Sequence, residues 1–372
     1  MAYALPGQAL QAGEKRIGVL VALDYYVFQA KRSLKRFVFT PYFGIRKFLN
    51  AALLFVQFGL FKNSRIIGMP LKISIDPSSV CQLQCPLCPT GQNAGGRSLG
   101  KMEFGNFRKI VDELAPCLYE IDLNNWGEPF LNKELIKMVE YCHKKRIKTS
   151  VNTNLNVPLS ESEAESLVKA GLDILYISMD GIKQETYEKY RMKGKLKHVW
   201  DNIILVGEAK KRLGQKNPRI VWQFLVNSFN EKEVPKLEKV KESLGVDELV
   251  VGLLRSDMGK EIFTQDREKI ESLKKWLPKN ESLSRYDYEK KERKLKKKHC
   301  HFLWFVSVIN WNGSVSPCCA SYFEKFDFGN AFGQGFKSVW NNKKYRAARE
   351  AVRTGKFTGT VCDNCLRTGF ID

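Results

Sequence analysis

No stretch of this 372-residue chain is apolar for long enough to cross a bilayer. The longest uncharged run of the aromatic, basic stretch Arg16 to Phe61 is Phe48 to Phe61, interrupted by Asn50 and Gln57, and it falls short of the ~18 residues a spanning helix needs. A cleavable secretory signal is missing too. Ten cysteines are too few to staple a chain of this size with disulfides. Seven of them fall into spaced clusters, which points to metal binding in a reducing, cytoplasmic compartment. The four histidines, His143, His198, His299 and His301, show no metal-ligand spacing among themselves. Acid is in short supply, and the formal charge is +21. That excess implies an anionic partner (nucleic acid, an acidic membrane surface or a phosphorylated substrate), or else a basic surface that only keeps the protein soluble. Composition otherwise excludes a disordered or fibrous chain, and the length allows one large domain plus a smaller one.

Composition shifts divide the chain into residues 1–70, 71–255, 256–299 and 300–372. In the first, Arg16 to Phe61 is aromatic, aliphatic and basic, with Asp24 its only acid. Lys31, Arg32, Lys35, Arg36, Arg46 and Lys47 sit among Tyr25, Tyr26, Phe28, Phe37, Phe39, Tyr42 and Phe43. Such helices can lie in the plane of an anionic membrane, rings in the acyl boundary and cations among headgroups, or pack on the main domain. The third segment is charged, and Lys290 to Lys298 reads as a solvated helix. No aromatics are interleaved there for base stacking, so nucleic acid is not the expected partner.

Residues 71–255 alternate short apolar runs with stretches of helical period. Strands are expected at Leu71–Ile75, Tyr119–Leu123, Ile147–Val151, Ile174–Met179, Ile220–Val226 and Glu248–Leu253. Helices are expected at Phe107–Leu114, Leu131–Lys144, Glu161–Ala170, Leu196–Arg212 and Glu233–Leu244. Six βα units imply a parallel sheet with right-handed crossovers. A closed eight-unit barrel needs ~250 residues, so an α/β partial (β/α)6 barrel fits better. Ligands in such folds bind at the carboxyl ends of strands.

Just there, after Asp76-Pro77 stops the first strand, come Cys81, Cys85 and Cys88 in the spacing C-x-x-x-C-x-x-C. Three thiolates on one loop can bind three irons of a four-iron cluster and leave the fourth open. On spacing alone, a zinc loop or unmetallated core cysteines remain alternatives. The spacing resembles that of the radical S-adenosylmethionine (SAM) enzymes, and later strand ends extend the resemblance. Asn124-Asn125-Trp126-Gly127-Glu128-Pro129 resembles the family's G-G-E-P motif, with Trp126 at the first glycine. Asn152-Thr153-Asn154 resembles its T-N-G position, with Asn156 displaced from the usual glycine. Ser178-Met179-Asp180-Gly181 resembles its S-x-D-G turn. The resemblance implies that Gly127, Glu128 and Pro129 hold the SAM amino group. Asn152 and Asn154 would lie near the ribose, Ser178 with Asp180 would face the ligand, and Arg191 would pair with the methionine carboxylate. Leu87 stands where an aromatic is frequent and still supplies apolar cover.

The tail carries Cys300, Cys318, Cys362 and Cys365, with Cys319 beside Cys318. Val306–Asn310 reads as a strand, and Asn312-Gly313 signals a hairpin. Gly313 to Cys318 resembles the G-x-x-x-x-C element of SPASM and twitch domains. Four cysteines are closest to the twitch-type tail of an aminoglycoside-pathway dehydrogenase, which holds one auxiliary cluster. On the tail alone, four thiolates suit tetrahedral zinc. Cys319 is open to reading as a spare ligand or a hydrogen-atom donor, and otherwise reads, with Cys117 and Cys142, as a packed thiol.

The resemblance implies a 4Fe-4S cluster on Cys81, Cys85 and Cys88, SAM on its open iron, and one auxiliary 4Fe-4S cluster. Reductive cleavage of SAM would give a 5′-deoxyadenosyl radical that takes hydrogen from substrate. An electron donor such as ferredoxin or flavodoxin is implied. Net oxidation is favoured; redox-neutral epimerisation and carbon–carbon bond formation stay open. The substrate expectation is a small sugar-like, phosphorylated or lipid-linked compound. A peptide is the alternative, although no leader-binding domain precedes the barrel. A zinc-stabilised nucleic-acid binder is the competing class.

Overall fold

The structure is a computed structural model that describes residues 40–61, 64–254, 274–290, 292–294 and 300–368. Six parallel strands run in chain order across one sheet. They are β1 (Lys72–Ile75), β2 (Glu120–Leu123), β3 (Lys148–Thr153), β4 (Ile174–Ser178), β5 (Arg219–Val226) and β6 (Glu248–Leu253). Helix α1 (Ile45–Val56) precedes them. The crossovers carry α2 (Phe104–Leu114), α3 (Leu135–Lys144), α4 (Glu161–Lys169), α5 (Gln184–Tyr190), α6 (Leu196–Arg212) and α7 (Leu237–Ser243). This is the expected partial barrel. Local chemistry sets the boundaries: α4 starts at a capping box, in which Ser160 accepts from the Glu163 amide and Glu163 accepts from that of Ser160. Two expected helices are shorter than their periodicity suggests. Pro129–Leu131 forms a separate 3-10 turn ahead of α3. Pro235, in the 3-10 turn Glu231–Lys236, delays α7 because proline lacks the N–H that a helix interior requires. Helix α5 was not expected, being short and polar.

The tail extends this sheet. β9 (Val306–Ile309) pairs parallel with β1, from Lys72 against Val306 to Ile75 against Ile309. β10 (Ser314–Ser316) and β11 (Gly329–Asn330) follow antiparallel, giving the order β11-β10-β9-β1-β2-β3-β4-β5-β6. The hairpin turns at Gly313, whose φ of +81° suits glycine. Short α8 (Phe302–Phe305) leads into β9. α9 (Ala331–Gln334), α10 (Phe336–Trp340), α11 (Lys343–Thr354) and α12 (Cys362–Thr368) complete the tail. Between barrel and tail, 3-10 turns at Lys274–Trp276 and Glu281–Leu283 precede a two-stranded ribbon in which Tyr286–Asp287 (β7) pairs with Glu292–Arg293 (β8); most of Lys290 to Lys298 lies outside the described residues. Trp276 is buried against Tyr190 and Leu254, anchored where Ser228 N donates to its carbonyl at 3.0 Å.

Of the amino-terminal segment, Tyr25, Tyr26, Phe28, Lys31, Arg32, Lys35, Arg36, Phe37 and Phe39 lie outside the described residues. Helix α1 and its lead-in cross the amino ends of the strands. Tyr42 donates to Asp173 ahead of β4, Lys47 Nζ donates to Arg146 O (2.7 Å) ahead of β3, and Asn50 pairs with both backbone groups of Met69 (2.8 Å) ahead of β1. Phe55 meets Phe305 ahead of β9. Lys47 is therefore not a headgroup contact: it is 7% exposed, and burial lowers its ammonium to about 8.

A candidate active site at the carboxyl rim of the barrel

One cleft opens at the strand ends opposite α1, with about 1220 Å³ of free space including its mouth. Its lining unites Cys81, Cys85 and Cys88 with Gly127, Glu128, Asn152, Asn154, Ser178, Asp180 and Arg191. Of the rim residues expected from sequence, only Pro129 is outside the lining, buried one position on.

The three thiols sit in a largely apolar cradle. Burial pushes Cys81 up to about 12 and Cys85 to about 11. Thiolates form in such surroundings only against added positive charge, which a bound metal supplies. Arg191 helps: its Nη1 lies 3.7 Å from the Cys85 sulfur, while its Nε donates to Asp180 at 2.6 Å. Asp180 is fully buried and also accepts from Leu225 N at 2.6 Å. Burial raises its carboxyl, and Arg191 opposes that rise. Asp180 thus fixes the guanidinium rather than facing solvent.

Glu128 behaves similarly. Its carboxylate accepts from Thr153 Oγ1 (2.6 Å), Asn154 N (2.8 Å) and Phe130 N (3.0 Å), tying the loop after β2 to the loop after β3. Burial raises its carboxyl against these donors. Gly127 is pressed against the first loop: a Cβ there would lie 1.8 Å from Ser78 O. Glycine is the one residue this approach admits.

An amide ring crosses three strand ends. Asn152 Nδ2 donates to Gln223 Oε1 (2.8 Å), and Ser178 donates to Asn152 Oδ1 (3.1 Å). Asn154 reaches both Gln82 (3.1 Å) and the Cys81 sulfur (3.6 Å). Asn156 is absent from the lining; it donates to Tyr187 and caps Lys195 N, a structural role. Gln223 went unassigned in the sequence, where a lone amide inside an apolar strand was the available signal. Leu87, Tyr190, Leu225 and Leu254 give the mouth an apolar wall. Trp126 lines the cleft and meets Tyr322 of the tail edge-on at 5.4 Å.

The tail cysteines line a second, smaller cavity, with about 440 Å³ of free space including its mouth. Cys300, Cys318, Cys362 and Cys365 are there, and so is Cys319, among Phe302, Leu303, Pro317, Ala320 and Val352. Burial pushes Cys300 up to about 11 and raises Cys318 and Cys362 further, each thiol also raising its neighbours. Five thiols at one place suit a cluster held by sulfur. Among the described residues, no three His, Cys, Asp or Glu side chains are placed to hold a single metal ion. Cys142 is buried in the core, as expected, and Cys117 is half-buried.

Comparisons with known proteins agree with this geometry. The family described as the radical SAM superfamily matches residues 75–237, and SPASM, an iron-sulfur cluster-binding domain, matches 300–366. The chain is 24% identical over 330 residues to a tungsten-containing aldehyde ferredoxin oxidoreductase cofactor-modifying protein of Pyrococcus furiosus, covering 78% of this chain and 86% of that one. It is 28% identical over 177 residues to a probable GTP 3′,8-cyclase of Methanocaldococcus jannaschii, covering 47% and 55%. Among solved structures, Streptococcus suis SuiB bound to its precursor peptide SuiA shares the fold, with a TM-score of 0.56 at 15% identity over 88% of this chain and 80% of that one. The family's cofactors are a 4Fe-4S cluster with SAM, and the SPASM domain adds auxiliary iron-sulfur. Residues 75–237 are thus a radical SAM domain, and residues 300–366 a carboxyl-terminal SPASM domain.

Proposed function

We propose that Cys81, Cys85 and Cys88 hold the SAM-binding 4Fe-4S cluster, and that the enzyme oxidises a neutral substrate bearing hydroxyl or amide groups. The observation that carries this reading is the convergence of the three thiols, Arg191 and the Gly127–Glu128 turn on one cleft. When bound, the cluster and SAM supply a 5′-deoxyadenosyl radical that takes a hydrogen atom from substrate. The chain's own work is orientation and exclusion of water. Backbone carbonyls of the Gly127 turn would accept from the SAM ammonium, and Glu128 holds that turn in place. Arg191, aimed by Asp180, pairs with the carboxylate. Asn152, Asn154, Ser178 and Gln223 offer amides and a hydroxyl to the ribose. Leu87, Tyr190, Leu225 and Leu254 close the apolar side.

Net oxidation needs an electron acceptor, and Cys300, Cys318, Cys362 and Cys365 are the thiols that would hold one auxiliary 4Fe-4S cluster. A low-potential donor such as ferredoxin or flavodoxin would feed the first. Arg191 is the one Lys or Arg among the described lining residues, and Asp180 engages it. That favours a neutral sugar-like substrate over a phosphorylated one. The same lining amides would serve a peptide backbone, which keeps peptide modification as the second reading. The domain matches favour either over a zinc-stabilised nucleic-acid binder.

Anaerobic reconstitution with iron and sulfide analysis tests the assignment. Wild type should carry about eight irons, as two four-iron clusters require. Cys362→Ala should keep about four irons and still cleave SAM, whereas Cys85→Ala should lose the cleavage. A colourless zinc protein, or equal behaviour of the two variants, would refute it.

A further inference from the structure

Helix α1 has two faces. Lys47, Asn50, Ala51 and Leu54 are buried against the amino ends of the barrel strands. Ile45, Leu49, Ala52 and Val56, spaced as one helical stripe, point away from the body. Ile45 is 63% exposed, Leu49 59% and Val56 46%, and Ile67 beside them is 76% exposed. Exposed Arg46 and Arg65 flank the stripe, and residues 25–75 contain no Asp or Glu. An apolar row flanked by cations, in a stretch of chain without acid, is the surface an anionic bilayer complements. A second copy would bring like charge to the contact. In sequence, the residues just before α1 carry Lys31, Arg32, Lys35 and Arg36 and no acid after Asp24.

We propose that the outer face of α1 docks this enzyme on an anionic lipid bilayer, with the barrel standing on its amino end and the catalytic cleft facing the aqueous side. The docking itself does not depend on the chemistry proposed for the cleft. The orientation has a consequence for the substrate. Strands of four to eight residues rise about 3.3 Å per residue, so the cleft stands a full strand length above the membrane. Docking therefore tethers the enzyme and does not feed a bilayer-embedded headgroup into the cleft; a soluble substrate enters from above.

Flotation of the reconstituted full chain tests this. Vesicles of phosphatidylcholine alone and of phosphatidylcholine with phosphatidylglycerol are the probes. Wild type should float with the anionic vesicles only, and less so in high salt. Ile45→Glu/Leu49→Glu/Val56→Glu should cut the floated fraction at least about tenfold, while iron content and thermal midpoint stay those of wild type. SAM cleavage by vesicle-bound wild type should equal that in solution. Indifference to lipid charge overturns the docking. Flotation of the triple variant at the wild-type level overturns the role of this face and assigns the membrane to residues 1–39. A wild-type dimer that the variant dissolves, without any flotation, makes a second copy the occupant instead. Loss of cleavage on vesicles overturns the orientation.

Discussion

In the proposed reading, Arg191 is the residue on which SAM binding turns. Its guanidinium is shared between the Asp180 carboxylate and the Cys85 sulfur, and its planar fork is what lets it also face an incoming carboxylate. Lysine keeps the charge but not the fork. Arg191→Lys should therefore weaken SAM binding about 10- to 100-fold, the worth of a charge-assisted hydrogen bond, by equilibrium dialysis against the reconstituted protein. Unchanged affinity would remove Arg191 from the ligand. Asp76 supplies a second test. It closes β1 fully buried, without a partner on another side chain, and burial pushes its carboxyl to about 7 although Arg97 opposes the shift. The folded chain then holds a proton there that the unfolded chain, titrating near 4, has released. Stability is fullest below about pH 4 and declines as pH rises through 7. Asp76→Asn should remove that part of the decline, so the urea midpoints of variant and wild type diverge in the variant's favour between about pH 5 and pH 8. Parallel profiles would show that Asp76 does not titrate in this range.

At the scale of elements, the tail is bolted to the cysteine loop by buried charge. Arg97, nine residues beyond Cys88, pairs with Asp327 (2.9 Å), donates to the Tyr322 carbonyl and reaches Ser314 and Ser316. Arg349 ties α11 to Leu303 and Trp340 through their carbonyls at 2.9 Å and stacks on the Trp340 ring. Leaving a buried charge unpaired costs about 3–5 kcal/mol. Arg97→Ala should lower unfolding stability by that order and expose the tail to protease, and a surface-like loss under about 0.5 kcal/mol would contradict the pairing. Nothing in the sequence singles out Arg97 or Arg349, because Asp327 lies 230 residues from the first and Leu303 46 residues from the second; the tertiary fold brings them together. The same limit hid the pairing of β9 with β1. Periodicity gives a strand and its faces, and the six βα units were legible on that basis. Which sheet edge a later strand will join is non-local. Motifs fared better: Gly127, Ser178 and Asp180 stand at strand ends, where parallel folds gather function. Glu128 and Asp180 were read as facing the ligand, yet their oxygens are largely occupied in holding loops and Arg191.

The whole molecule is organised end to end. The amino ends of the strands carry α1 and its exposed apolar stripe, and the carboxyl ends carry the catalytic cleft. The second cysteine cavity is formed by the tail that widens the sheet. The charge of +21 is not expressed in the described cleft lining, which holds a single cation that is already engaged. The account rests on one reaction at the cleft, and one assay reaches it directly: anaerobic incubation of the reconstituted enzyme with SAM and dithionite, with 5′-deoxyadenosine and methionine measured over time. The account predicts that both accumulate in equal amounts with wild type and in neither case with Cys85→Ala. Intact SAM in the presence of wild-type protein carrying its full iron would contradict it.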